Sequence, residues 1–312
     1  MTATTPVPAA LDTPQHRGPL VTAGARQRRR ARQLQVLVCT VLIVLALLST
    51  VLPLYFILMT SLSPSGSTAT DRLLPTGISF EHFARLFQEP TLPFGTWFLN
   101  SVKISLTVTA VTTFVTMMSA YAFSRLRFRG RDGLLQAIVL LQVFPNLLAI
   151  VAIFLIVQQL GDTVTPALGL NSHTAIILVY VGGAIGGNVW LLKNYLDTIP
   201  RDIDESATID GASHWVIFSR LLFPLMRPML AVIAVLTFVG AYGEVLVIQV
   251  LVRDPQQFTL PLGLYTMSTS QFTVDFGLFA AGAVLAALPP LLLFYLLQNW
   301  LIEGLTTGSV KS

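Results

Sequence analysis

The chain has 312 residues, 54% of them hydrophobic and 11% charged. Soluble domains carry about 25% charged residues, so this composition excludes a fold that faces water on all sides and leaves an integral membrane protein. The net charge of +4 is no sign of nucleic-acid binding, because Arg26, Arg28, Arg29, Arg30 and Arg32 crowd against the first apolar run, where basic residues fix membrane orientation.

Residues 1–33 are rich in Pro, Thr, Ala and Arg without an apolar period, and read as a disordered basic tail. The run from Leu34 to Met59 is longer than the apolar core of a secretory signal and has no convincing cleavage site, so it reads as a first span. A helix needs about 20 apolar residues to cross the bilayer core, and five further segments qualify: 98–124, 134–160, 174–192, 229–252 and 276–302. The expectation is an all-α integral membrane protein with a six-span domain over 34–303 and a short tail over 304–312. Fifteen Lys and Arg fall in the two tails and the loops 125–131 and 193–228, against three in the intervening segments. That asymmetry predicts both termini and both basic loops in the cytoplasm.

Within the spans, Pro53, Pro145 and the pair Pro289–Pro290 predict kinks, which serve packing or line a pathway. The fourth span carries Gly182, Gly183, Gly186 and Gly187, two overlapping Gly-x-x-x-Gly pairs that let another helix approach closely, in this chain or in a second one. Glu244 is the carboxylate deepest in a span, and its cost there predicts that it faces a cavity or a partner. Tyr242 and Asn188 are the accompanying pathway candidates. Cys39 stands alone in an apolar run and reads as packing.

The long loop 197–228 reads as helix, glycine break, helix. Pro200 suits a first helical turn, Asp202, Asp204 and Glu205 complement the helix dipole, and Gly211 ends or bends the helix. Trp215, Phe218 and Leu222 then form one apolar stripe before Pro224 and Pro228 break the chain. Such a pair, with small residues at Ala207, Gly211 and Ala212, suits either a docking surface or a helix lying on lipid. None of Lys103, Lys193 and Lys311 sits in a phosphate-binding loop, so nucleotide is expected elsewhere. His16, His82, His173 and His214 are scattered, so no metal is expected. No inverted repeat with matching broken helices supports an ion-coupled transporter, and no nucleophile–base pair supports an enzyme.

Glu205-Ser206-Ala207, Gly211, Leu221 and Phe223-Pro224 resemble, at the family spacing, the EAA loop of ABC importer permeases, with mild departures at Ser206, Leu221 and Phe223. Asn100-Ser101-Val102-Lys103, Ala120-Tyr121-Ala122-Phe123, Gly169-Leu170-Asn171 and the ending Gly304–Lys311 are similar to the second permease of maltose/maltodextrin-type importers. The resemblance implies the type I importer permease fold, with a sugar, maltose/maltodextrin or a related oligosaccharide foremost, as solute; other solutes and ion coupling are the alternatives. It implies coupling to a separate ATPase through Glu205, Ala207, Asp210, Gly211 and Pro224, with ATP and Mg held by that partner and no cofactor on this chain. The implied partners are a second homologous permease, two ATPase copies and an extracytoplasmic sugar-binding protein, in a bacterial cytoplasmic membrane. The outer loop 253–275 mixes Phe258, Leu260, Tyr265 and Phe272 with polar residues, which suits a contact surface or an interfacial aromatic belt. The resemblance favours contact with the binding protein, through Tyr265 and Gln271.

Overall fold

Long apolar runs must satisfy their backbone internally. The computed structural model accordingly shows helices and no strands among its described residues, 21–64, 77–143, 146–269 and 275–308. Five of the helices are long and apolar enough to cross a membrane. The chain divides into two units, Met1–Tyr55 and Phe56–Ser312.

The first unit holds most of helix α1, Val21–Leu62. The helix starts within the segment expected to be disordered, so residues 21–33 are helical and extend it by about 20 Å. Ala, Arg and Gln are good helix formers, and the apolar run supplies the nucleus that makes their propagation cheap. Residues 32–54 are exposed throughout. The hydroxyls of Thr40, Ser49 and Thr50 donate to carbonyls of their own helix, which satisfies these three donors on a lipid-suited surface.

In the second unit α3 (Phe94–Arg125) packs against α6 (His173–Asp197) and α9 (Phe223–Gly243), and α9 packs against α12 (Phe276–Gly308). Ser101, Ser105, Thr112, Thr116 and Ala120 are buried along α3, and their small size permits this close approach. Three apolar cores follow α3 from end to end: one around Phe94 and Trp97, one around Ile104 and Val108, and one beside Ala120. Two short helices close the Phe94 end: α2 (Glu81–Gln88) against α12, and α11 (Leu260–Thr269) against α3 and α12.

Several boundaries differ from expectation. The third expected span, 134–160, is two helices, α4 (Arg131–Val143) and α5 (Asn146–Thr163). The 13 residues of α4 reach only about 20 Å, short of a bilayer core; Pro145 lies outside the described residues. The fifth expected span breaks after α9 at Glu244, whose backbone is extended (φ −73, ψ 131), before α10 (Leu246–Leu251). Gly240, Gly243 and β-branched Val245 and Val247 weaken the helix there. Pro53 and Pro289–Pro290 lie inside continuous helices. The helix α12 also runs through Gly308, past the boundary expected at 303, and residues 309–312 lie outside the description.

The glycines of α6 find a partner within the chain. A Cβ at Gly186 would meet the end of the exposed Gln142 side chain of α4, so this glycine lets α4 and α6 approach here without displacing that side chain. Gly182 and Gly183 face open space.

Candidate functional site

The loop between α6 and α9 begins with α7 (Asp202–Ile209), whose first turn carries Asp202, Asp204 and Glu205. It closes by a Schellman motif. Ala212 N–H donates to the Ala207 carbonyl at 2.9 Å and Gly211 N–H to that of Thr208 at 3.0 Å, with Gly211 at φ +80. Ala207 and Ala212 pack together onto the core beside Ala120, the apolar contact that accompanies this motif. The spacing of Ala207, Gly211 and Ala212 is therefore the spacing of a helix stop. Ser213 then caps α8 (His214–Val216), its hydroxyl accepting from Val216 N–H at 3.4 Å.

The chain does not break at Pro224 and Pro228. A π-helical segment, Ile217–Leu222, joins α8 to α9 without interruption, and its wider turn accommodates the proline that follows it. Phe218 and Leu222 are buried, as the predicted stripe requires, with Phe218 edge-on to Tyr121 at 5.0 Å. Trp215 departs from that stripe: it is 65% exposed, and Ile209 is 86% exposed. Glu205, Asp210, Gly211 and Pro224 are exposed on the same loop, while Ala207 is half-buried.

An ionic network that sequence reasoning missed ties this loop to the spans. Arg125, the last residue of α3, pairs through Nε with Asp204 Oδ2 at 2.6 Å and donates from Nη2 to the Ile199 carbonyl at 3.0 Å. Arg201 donates to the Ser124 carbonyl at 2.9 Å, and the Ser124 hydroxyl donates to Asp197 at 2.6 Å. Lys193 completes the set on Asp197 at 2.7 Å. A cavity of about 210 Å³ beside the network is lined by Tyr121, Arg125, Arg201, Glu205 and His214. The basic residues were legible only as orientation signals; Lys193 pairs four residues on within α6, but the partners of Arg125 and Arg201 come from distant sequence.

A larger open cavity, about 480 Å³, lies among α4, α5, α6 and α9. Asn188 and Glu244, both pathway candidates, line it together with Gln142, Tyr180 and Thr237. The Asn188 amide donates to Thr237 Oγ1 at 3.2 Å, joining α6 to α9 across the cavity wall. Glu244 is not on a continuous helix as expected. One carboxylate oxygen accepts from the N–H groups of Leu246 (2.8 Å) and Val247 (3.2 Å), so it caps α10 at the break. Tyr242 belongs elsewhere: it is buried and stacked on Phe238 at 5.5 Å, off the cavity lining.

At the opposite end from α7, side chains of α3 hold the segment before α11. Trp97 donates to the Pro255 carbonyl at 2.8 Å, Asn100 to those of Gln256 and Phe258 at 3.0 Å each, and Ser101 accepts from Leu260 N–H at 2.6 Å. Asn171, at φ +58, accepts from the N–H groups of Arg253 (2.6 Å) and Asp254 (3.0 Å). Two of the quoted motifs, Asn100-Ser101 and Gly169-Leu170-Asn171, thus serve to fix this segment. Leu260 is fully buried and Phe258 packs on Trp97, so neither belongs to an exposed contact loop as expected. Tyr265 is 43% exposed; Gln271 and Phe272 lie outside the described residues. Nearby, Asp275 accepts from Leu278 N–H and pairs with Arg85 at 2.9 Å. Burial pushes its carboxyl upward, but these partners outweigh that and hold it below the ordinary carboxylate range.

Known proteins are similar to this chain in sequence and in fold. Residues 113–307 match the family model of the binding-protein-dependent transport system inner membrane component. The galactooligosaccharides transport system permease protein GanQ of Bacillus subtilis is 38% identical over 262 residues, covering 84% of this chain and 90% of that one. The maltose/maltodextrin transport system permease protein MalG of Escherichia coli is 35% identical over 293 residues, covering 90% and 98%. A crystal structure of a bacterial ABC transporter involved in import of the acidic polysaccharide alginate has the same fold, with a TM-score of 0.75, 21% identity, and coverage of 86% of this chain and 97% of that one. The chain therefore belongs to the family of binding-protein-dependent transport system inner membrane components, the multi-pass permease subunits of ABC importers.

Proposed function

We propose that this chain is one permease half of an ATP-driven oligosaccharide importer. The observation that carries the proposal is the exposed α7–α8 loop, which presents Ile209 and Trp215 while its inner side is lashed to α3 and α6. Large apolar residues standing out of a charged, anchored loop suit the docking of another protein. That protein is an ATPase, present in two copies and holding ATP and Mg, which this chain does not bind. Glu205, Ala207, Asp210, Gly211 and Pro224 belong to the coupling segment. A second homologous permease completes the pathway, and the cavity lined by Asn188 and Glu244 is this chain's share of it. A sugar-binding protein delivers solute at the α11 end, where Tyr265 is exposed.

The distribution of Lys and Arg supports a bacterial cytoplasmic membrane location with both termini and the α7–α8 loop in the cytoplasm. The named solutes of the relatives, galactooligosaccharides and maltodextrins, support an oligosaccharide of a few hexose units. The test is reconstitution with the companion permease, the ATPase and the binding protein, followed by ATP hydrolysis and uptake across a panel of disaccharides and longer oligosaccharides. At least one sugar should stimulate both. Uptake that proceeds without ATP on an ion gradient would overturn the reading in favour of a secondary transporter.

A further inference from the structure

The helix α7 has no buried residue of its own. Its apolar attachment is limited to the half-buried Ala207 on the core beside Ala120. A helix pushed by a partner moves the body behind it only as far as its attachment is stiff. The other attachment is the ion pair Arg125–Asp204, a charge contact without hydrogen-bond alignment, whose side chains are 6% and 17% exposed. Charges so far from water are confined to their partners' geometry, since separation would leave each one unpaired. Arg125 also grips Ile199, and its neighbour Ser124 is held by Arg201 and Asp197, so the ends of α3 and α6 and the start of α7 are one ionic body.

On the other side of Gly211 the connection is covalent, because α8 continues through the π-helical segment into α9. The loop therefore has two arms that meet at Gly211. One follows α6 through the short link 198–201 and is fixed to α3 by charge, while the other runs on into α9 as a continuous helix. The cavity lies between α6 and α9, bridged by the Asn188–Thr237 hydrogen bond.

We propose that Arg125, through its ion pair with Asp204, is the positioning residue that converts movement of α7 into displacement of α3 and α6 against α9. The proposal rests on the docking role given to the α7–α8 loop. It makes the Arg125–Asp204 pair a transmission element, separate from the surface that binds the ATPase.

The test uses the complete reconstituted complex with Arg125→Gln, Asp204→Asn, and the reversed pair Arg125→Asp with Asp204→Arg. Copurification of the ATPase and the ratio of ATP hydrolysed to sugar imported are both measured. Both single variants should retain the ATPase and hydrolyse ATP, while the ratio rises at least about tenfold, within the usual range of coupling between sites. The reversed pair should recover most of that loss, which a merely structural disturbance would not allow. An unchanged ratio in the single variants, or a reversed pair no better than either, overturns the proposal. So does loss of the ATPase from the single variants, since the pair would then be part of the docking surface. Ile209→Asp with Trp215→Asp tests the docking role separately and should release the ATPase. Retention there sinks that role and the proposal with it, whereas release there with an unchanged ratio in the Arg125 variant sinks the proposal alone.

Discussion

Substitutions at Gly211 separate backbone strain from the approach of a partner. The residue closes α7 at φ +80, where an ordinary side chain costs about 1–2 kcal/mol. A Cβ built there meets nothing within 4 Å. Alanine and leucine therefore carry about the same backbone cost, and the Cβ of either enters open space at this exposed position. In the subunit alone, Gly211→Ala and Gly211→Leu should lower the ratio of formed to unformed turn equally, by roughly 5- to 30-fold. Gly211→Asn, which tolerates the left-handed region, should lower it less. Limited proteolysis of the loop in the purified subunit measures this, with Ala and Leu alike, Asn lower and wild type lowest. Size should matter only where another protein packs on the turn. With the ATPase present, copurification and sugar uptake should fall modestly for Ala and collapse for Leu. Equal losses for Ala and Leu in the complex would mean that strain explains everything and that no partner approaches Gly211.

Three further outcomes are expected. Glu244→Gln keeps the oxygen that accepts from Leu246 and Val247, so assembly should persist while uptake changes through the lost charge in the cavity; Glu244→Ala should cost about 1 kcal/mol as a lost helix cap. Wild-type uptake by the Gln variant would remove that charge from the pathway. Asn171→Ala loses both acceptor contacts and places alanine at φ +58, for a loss of about 2–3 kcal/mol, whereas Asn171→Gly relieves the backbone and should lose only about 1–2. Melting temperatures should fall in the order wild type, Gly, Ala, and identical values would contradict the clip. Tyr265→Ala should raise the concentration of binding protein needed for half-maximal ATPase stimulation, and an unmoved curve would leave Tyr265 as a membrane-interface anchor.

The sequence by itself determined the membrane class, most of the spans and the position of the α7–α8 loop. Those features rest on local properties: apolar length, charge asymmetry, and a helix stop written into Ala207, Gly211 and Ala212. It was also enough to mark Asn188 and Glu244, because a polar residue in an apolar run has few places to go. Only the tertiary structure decided which way side chains within a span face. Successive helical residues turn by about 100°, so Ala241 lines the cavity while its neighbour Tyr242 stacks on Phe238 away from it. The same holds for the break at Glu244, where a carboxylate made free N–H groups tolerable in a segment that hydropathy reads as continuous. Arg125 and Asp204 look like ordinary loop charges in the sequence, and their pairing required α3 and α6 to end at the same level beside α7. That meeting is set by the packing of small residues along α3, a long-range arrangement that no local pattern in the chain records.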